Sequence, residues 1–110
     1  MDKFQSIEAF AALSQETRLD VFRLLIQVGP QGMLAGEIGD SLGVKQNTMS
    51  ANLSILNRAG LIRSVREGRA IRYYADMDGV KGLLEFLMED CCRGRKEICQ
   101  PVIEQLACAC

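Results

Sequence analysis

The fold is decided by residues 34–75, which read LAGEIGDSLGVKQNTMSANLSILNRAGLIRSVREGRAIRYYA. Residues 34–42 predict a short helix, and a longer helix is expected from about Lys45 to Ala59. Gly43 between them supplies the permissive backbone that a tight turn requires. Gly60 is a typical C-terminal stop for the second helix. This order of elements predicts a helix-turn-helix.

The second helix has two unlike faces. Met49, Leu53 and Leu56 follow one another at spacings of four and three, which predicts one buried face. The other face carries side chains that donate or accept hydrogen bonds: Lys45, Gln46, Asn47, Thr48, Ser50 and Ser54. A helix of this kind suits insertion into the major groove of DNA.

A β-hairpin is expected directly after this helix. Its strands would be Ile62–Arg66 and Ala70–Ala75, joined by a turn at residues 67–69. The expected fold class is therefore mainly α with a small β-hairpin wing, a winged helix-turn-helix. We expect one domain over residues 1–110, with a C-terminal dimerisation helix and a cysteine-rich tail over about residues 88–110.

Charge is segregated along the chain although the total is only −1. Residues 45–72 hold six bases and one acid, a net charge of +5, and the remaining residues hold seven bases and thirteen acids, a net charge of −6. A basic segment on an acidic body is typical of a DNA-binding module. The simpler alternative is an amphipathic helix and hairpin whose charges only keep the protein in solution.

The helices that flank this segment are predicted from apolar periodicity. Residues 5–13 place Ile7, Phe10 and Ala11 on one side of a short helix, with Leu13 near them. Ser14 is expected to cap a second helix that ends at Gly29-Pro30, and residues 31–33 would be a connector. The second helix should bury five residues: Val21, Phe22, Leu24, Leu25 and Val28.

Two further helices are expected after the wing. The first would begin near Gly79, capped by Asp76 or Asp78, and its apolar stripe would contain Val80, Leu83, Leu84 and Leu87, with Phe86 beside it. The second would begin at Pro101, which suits a first helical turn, and would end at Ala107.

The terminal helices carry more apolar surface than so small a domain can cover. A twofold homodimer through the N- and C-terminal helices would bury that surface. Such a dimer would read two half-sites about 34–36 Å apart. No apolar run approaches the roughly 20 residues of a membrane helix, and the N-terminus lacks a signal peptide. We therefore expect a cytoplasmic protein with no membrane partner.

All five cysteines lie in the last twenty residues, and the chain contains no histidine. The lack of histidine removes Ser-His-Asp and Cys-His nucleophilic sites, so an enzyme is not expected. Cysteines without an export signal indicate metal binding or redox chemistry. Cys91, Cys92 and Cys99 offer three thiolates, a ligand set that selects a soft ion. Zinc prefers four ligands and would have to recruit Cys108 or Cys110.

Three segments together resemble the ArsR/SmtB family of winged-helix repressors: residues 13–25, residues 42–50 and residues 56–69. The resemblance covers roughly residues 5–87. It implies a homodimer that binds operator DNA and leaves it when a metal or metalloid ion binds. Carried over by position, it places Gln46, Thr48, Ser50 and Ser54 against bases or phosphates, and Arg66, Arg69 and Arg72 in the wing.

The chain departs from the family pattern in two places, one of which prevents the transfer of base preference while the other concerns the inducer site. Ala51-Asn52 replaces a histidine pair that is frequent in the recognition helix, and residues 34–42 lack the Cys-x-Cys pair of the arsenic-responsive archetype. The resemblance therefore makes As(III) or Sb(III) the expected inducer at Cys91, Cys92 and Cys99, because the family contains repressors with relocated C-terminal cysteines.

Helix geometry places one condition on this site. On a continuous helix Cys92 and Cys99 would stand about 10 Å apart along the axis. The chain around Gly94 must therefore bend to bring the three sulfurs together, and we expect that bend to be the switch.

Three alternatives to a metalloid-responsive repressor are left open by these residues. The cysteines could sense oxidation by closing a disulfide from Cys99 to Cys91 or Cys92. The chain could instead be a thiol-rich metal-binding protein or thiol oxidoreductase with no DNA role, although the basic segment 45–72 would then have no function. Finally, Cys91 and Cys92 could be small apolar residues packed at a helix end.

Overall fold

The computed structural model describes residues 1–88 and 96–107. Its helices and strands follow in the order α1 (Lys3–Leu13), α2 (Glu16–Val28), β1 (Met33–Leu34), α3 (Ala35–Leu42), α4 (Gln46–Arg58), β2 (Ile62–Glu67), β3 (Ala70–Ala75), α5 (Met77–Met88) and α6 (Lys96–Ala107). A single turn of 3-10 helix, Gly29–Gln31, joins α2 to β1. The mainly helical fold with a small wing is confirmed.

Helices α3 and α4 form the predicted helix-turn-helix. Gly43 ends α3 in the left-handed region, with φ +67°, and its N–H donates to Gly39 O. Gly39 also allows the two helices to approach closely, because a Cβ atom there would overlap the Gln46 side chain and press on Val44 O. The turn therefore depends on glycine for two separate reasons, backbone conformation at Gly43 and space at Gly39.

The core lies beneath the inner face of α4. Met49, Leu53 and Leu56 are completely buried, as their spacing predicted, and they pack with Leu25 of α2 and Ile38 of α3. Burying a leucine side chain of this kind stabilises a fold by about 1.5–3 kcal/mol. Because these side chains hold the inner face of α4 against the core, its outer face stays directed towards solvent.

The wing has three antiparallel strands in the order β1-β3-β2. β2 and β3 pair from Ile62↔Ala75 to Glu67↔Ala70, so the loop between them is Gly68-Arg69, with Gly68 at φ +63°. The prediction of a two-stranded ribbon missed β1, which pairs with β3 through Met33↔Tyr73 and Leu34↔Arg72. A strand of two residues is too short to show alternation, and this is why residues 31–33 were expected to be only a connector.

Helix α1 packs inward through small residues. Ser6, Ala9 and Ala12 are buried, whereas the side predicted from Ile7 and Phe10 faces solvent. Small side chains let α1 lie close to its neighbours, which leaves its larger apolar side chains outside.

The cap expected for α2 is also different. Ser14 ends α1 by donating from its hydroxyl to Ala11 O, and Gln15 caps α2 by accepting from the Arg18 N–H. Val21 and Leu25 are fully buried in α2, while Phe22, Leu24 and Val28 are only half-buried.

The last two helices begin earlier than predicted. Asp76 caps α5 by accepting from the backbone N–H of Asp78 and Gly79, so α5 starts at Met77 rather than near Gly79. Of its predicted stripe, Leu83 is buried, Val80 is half-buried, and Leu84 and Leu87 are exposed.

Helix α6 starts at Lys96 and contains Pro101 in its interior, so the expected start at Pro101 is wrong. A proline there removes one N–H donor from the helix without ending it. No helix of the described residues is long and apolar enough to cross a membrane.

Candidate nucleic-acid interface

The solvent side of α4 carries a continuous polar stripe. Asn47, Ser50, Ser54 and Arg58 are spaced by three, four and four residues, and all four side chains are exposed. At about 100° per residue these positions fall along one line of the helix surface. Thr48 is also exposed but lies about 100° around the helix from Asn47. A narrow stripe of this kind can face base edges in a major groove while Thr48 lies at its margin.

Two of the predicted DNA-contacting residues are partly engaged within the protein. The Gln46 amide nitrogen donates to Ala35 O at 3.4 Å, which folds this side chain back over α3. The Asn47 side-chain oxygen accepts from the Thr48 N–H at 2.9 Å in the first turn of α4. Lys45, Ser50 and Ser54 make no side-chain hydrogen bond within residues 1–88 and 96–107, so their donors and acceptors face solvent.

The N-terminus of α4 is electrostatically suited to phosphate. The backbone N–H groups of a first helical turn and the helix dipole both favour an anion. Lys45 is the N-cap residue and its exposed side chain adds a positive charge at the same end. The first turn of α4 contains no acidic residue that would oppose this charge.

The three wing arginines differ in how tightly the protein holds them. Arg69 is exposed in the two-residue loop and forms no salt bridge within the described part of the chain. Arg66 is exposed, and its Nε donates to Gly68 O at 3.3 Å. Arg72 donates from Nε to Glu67 Oε2 at 2.9 Å and from a terminal nitrogen to Gln31 O at 3.3 Å. The hydrogen bond with Glu67 raises the pKa of Arg72.

Three residues were missing from the predicted interface. Asn57 and Arg58 are exposed at the end of α4, and Arg58 extends the stripe by one turn beyond Ser54. The same helical period that selected Ser50 and Ser54 would have found Arg58. Arg63 is exposed on β2, and its guanidinium lies 4.4 Å from the centre of the Tyr74 ring on β3. Its register opposite Tyr74 could not be read from the sequence.

The predicted cysteine site falls mainly on residues outside the described ones. Cys91, Cys92, Cys108 and Cys110 belong to this group, as does the bend expected at Gly94. Cys99 lies within α6, so the structure describes the backbone at this residue. Within residues 1–88 and 96–107 no cluster of three or more His, Cys, Asp or Glu side chains could hold a metal ion. The three-sulfur site therefore stays a prediction from the sequence.

A helix-turn-helix domain model matches residues 13–65. The chain is similar to YbzH of Bacillus subtilis, an uncharacterised HTH-type transcriptional regulator, with 35% identity over 95 residues that cover 76% of this chain and 95% of YbzH. The chain therefore belongs to the helix-turn-helix transcriptional regulators. The alternative of a thiol protein with no DNA role is wrong.

Solved structures refine this assignment. One of them is Mb0332 of Mycobacterium bovis, which is described as a homodimeric winged helix-turn-helix DNA-binding domain and a possible ArsR-family regulator. It has 28% identity to this regulator and a TM-score of 0.63, and the match covers 78% of this regulator and 80% of that chain. Reduced HlyU of Vibrio cholerae has 25% identity and a TM-score of 0.62, covering 80% and 90% of the two chains. HlyU is named a transcriptional activator. This regulator therefore shares the winged helix-turn-helix fold of a protein described as a possible ArsR-family regulator.

Proposed function

We propose that this regulator is a dimeric repressor that binds operator DNA through α4 and the wing and is released by trivalent arsenic or antimony. The observation that supports the DNA contact is the exposed stripe of Asn47, Ser50, Ser54 and Arg58 on a helix whose other face is fixed in the core. Serine and asparagine side chains read base edges, whereas Arg66 and Arg69 in the wing supply charge for phosphates.

The proposed dimer rests on apolar side chains that the single chain leaves exposed. Phe4 is 76% exposed, Ile7 55% and Phe10 41%, all on α1, and Leu84 and Leu87 are exposed on α5. Large apolar side chains clustered on two helices are typical of a subunit interface. Mb0332, which shares this fold, is a homodimer.

Sedimentation equilibrium tests the dimer. Ile7→Glu places a charge in the proposed interface and should shift the protein to monomers. Ile71→Glu changes another exposed isoleucine, which lies on the wing, and should leave a dimer. A dimer that survives Ile7→Glu together with Leu84→Glu would contradict this interface.

The proposed inducer follows from the donor set. Cys91, Cys92 and Cys99 provide sulfur and no nitrogen, and soft thiolates select soft, thiophilic ions. As(III) and Sb(III) form three bonds in a pyramidal arrangement, which three thiolates match. Three As–S bonds would replace the three hydroxide ligands of arsenite, which leave as water with the three thiol protons. We expect the bend predicted at Gly94 to bring the three sulfurs together.

Fluorescence anisotropy on the promoter fragment upstream of the gene tests both halves of the proposal. Reduced protein should bind the fragment, and arsenite should release it. Each of Cys91→Ser, Cys92→Ser and Cys99→Ser should bind equally well and resist arsenite. Cys108→Ser and Cys110→Ser are the matched controls and should still respond. Tight binding that ignores arsenite in the unaltered protein would refute the inducer and leave the DNA contact intact.

A second candidate signal is oxidation, which the likeness to a protein studied as reduced HlyU favours. Two thiols, Cys99 and either Cys91 or Cys92, would lose two protons and two electrons to peroxide, forming a disulfide and two waters. Peroxide without arsenite should then release the fragment, and dithiothreitol should restore binding. HlyU is named an activator, so the sign of regulation is tested separately. Deletion of a repressor should raise the expression of a reporter gene under the same promoter, and deletion of an activator should lower it.

A further inference from the structure

Arg18, in the first turn of α2, lies between α1 and the recognition helix α4. Its Nε donates to Ala12 O of α1 at 2.7 Å. One of its terminal nitrogens donates to the side-chain oxygen of Asn52 in α4 at 3.2 Å. A single guanidinium therefore forms hydrogen bonds to α1, which precedes it in the chain, and to α4, which follows it.

Both acceptors need this guanidinium. Asn52 is only 8% exposed and sits on the inner side of α4 among Met49, Leu53 and Leu56. A buried amide without a hydrogen-bond partner is costly. Ala12 lies in the last turn of α1, where carbonyl groups lack a partner within the helix. The planar fork of arginine presents donors in a fixed geometry, which the flexible ammonium of lysine does not.

We propose that Arg18 is the positioning residue that sets the orientation of the recognition helix relative to α1. This inference rests on two parts of the proposed function: that α4 reads DNA and that α1 pairs the subunits. Hydrophobic contacts along α4 tolerate small rotations, because apolar packing is not directional. The hydrogen bond at Asn52 is directional and therefore fixes the angle at which Ser50 and Ser54 are presented to the two half-sites.

Specific and non-specific DNA binding should depend differently on Arg18. Non-specific affinity comes from phosphate neutralisation, which Arg66 and Arg69 supply whatever the angle of α4. Base recognition depends on the placement of side chains at base edges. Disturbing Arg18 or Asn52 should therefore lower the ratio of specific to non-specific affinity while leaving non-specific affinity unchanged.

A double-mutant cycle tests this. The operator is first selected with the unaltered protein from random-sequence duplexes, and affinities for it and for a scrambled duplex are measured without arsenite. Arg18→Lys and Asn52→Ala should each lower the specificity ratio by about tenfold or more, a change of about 1.4 kcal/mol per tenfold. The double variant should be no worse than the worse single variant. Asn52→Asp retains the acceptor beside Arg18 and should restore most of the ratio.

Ile38→Val is the matched control, because it removes one methylene from a fully buried side chain of α3 without touching the Arg18 hydrogen bonds. It should lower the melting temperature and keep the specificity ratio. Additive losses in the double variant, or a ratio that follows melting temperature across all variants, would overturn the positioning role.

The outcomes for the proposed function and for Arg18 are distinguishable. If arsenite fails to release the operator, the inducer is wrong and the cycle above still decides Arg18. If the unaltered protein selects no sequence, the DNA contact is wrong. Amide hydrogen exchange then tests whether Arg18 holds α4 through Asn52. Asn52→Ala should speed exchange in α4 more than Ile38→Val does, and equal exchange in the two variants would overturn the proposal.

Discussion

Arg69→Ala should weaken DNA binding through phosphate contact alone. Arg69 lies exposed in the loop of the wing without a salt bridge in the described part of the chain, so its charge is available to DNA. Each phosphate contact contributes about 0.9 to the slope of log affinity against log salt. A dimer loses the contact in both wings, so the slope should become shallower by about 1.8. The loss of affinity should be similar for any DNA sequence.

The assay is anisotropy titration of one duplex at several salt concentrations. Arg72→Ala is the matched control, because the Arg72 guanidinium is already bonded to Glu67 and Gln31 O. This control should lower thermal stability and change the salt slope much less than Arg69→Ala does. An unchanged slope in Arg69→Ala would refute phosphate contact by the wing tip. A larger change in Arg72→Ala would refute the distinction drawn between the two arginines.

Three predictions concern stability and are measured by urea unfolding. Leu53→Ala should lower the free energy of unfolding by about 2–5 kcal/mol, because Leu53 is fully buried. Val65→Ala on the exposed wing should change it by less than about 1 kcal/mol. Similar losses in the two variants would show that α4 is not packed as described. Gly43→Ala should lower the free energy of unfolding by about 1–2 kcal/mol, because Gly43 has φ +67°. Gly36→Ala lies within α3, where an added Cβ meets no other atom, and should leave the free energy of unfolding unchanged or raise it. A stabilised Gly43→Ala would contradict the left-handed turn. Ser6→Ala should raise the free energy of unfolding by about 1 kcal/mol, because the buried Ser6 hydroxyl has no hydrogen-bond partner among residues 1–88 and 96–107. Ser14→Ala removes the hydroxyl that caps α1 and should lower the free energy of unfolding. Destabilisation by Ser6→Ala would mean that its hydroxyl has a partner in solution.

The helix-turn-helix could be predicted closely because local signals and burial agree there. Gly43 and Gly60 both adopt positive φ where the sequence predicted the ends of the two helices. Met49, Leu53 and Leu56 are buried as their period indicated. When backbone preference and apolar period support the same element, sequence alone determines its position.

Features that depend on a distant partner could not be predicted. β1 exists only because β3 lies beside it, and its two residues carry no pattern of their own. The inner face of α1 is built from Ser6, Ala9 and Ala12, which are too small to be distinguished by apolar period from the larger residues around them. The polar stripe was predicted in part. Arg58 belongs to the basic segment 45–72, and its charge alone does not show that it also lies in line with Ser54 on the helix face.

The hydrogen-bond partner of Asn52 is the least predictable feature of the site. In the family pattern, this position lies in the recognition helix. Its side chain accepts from Arg18, thirty-four positions earlier in the chain. The helical period places Asn52 on the buried face, three residues after Met49 and four before Leu56. Only the three-dimensional packing of α2 against α4 reveals that Arg18 is its partner.

The short strand β1 has a mechanical consequence. Leu34 pairs with Arg72 of β3 and is also the residue that caps α3, so one residue belongs to both the sheet and the helix-turn-helix. The wing therefore cannot swing independently of the helices. The distance between the groove contacts of α4 and the phosphate contacts of the wing is therefore fixed when the chain folds. DNA whose groove width does not match must itself deform, so this regulator should discriminate among sequences partly by their stiffness.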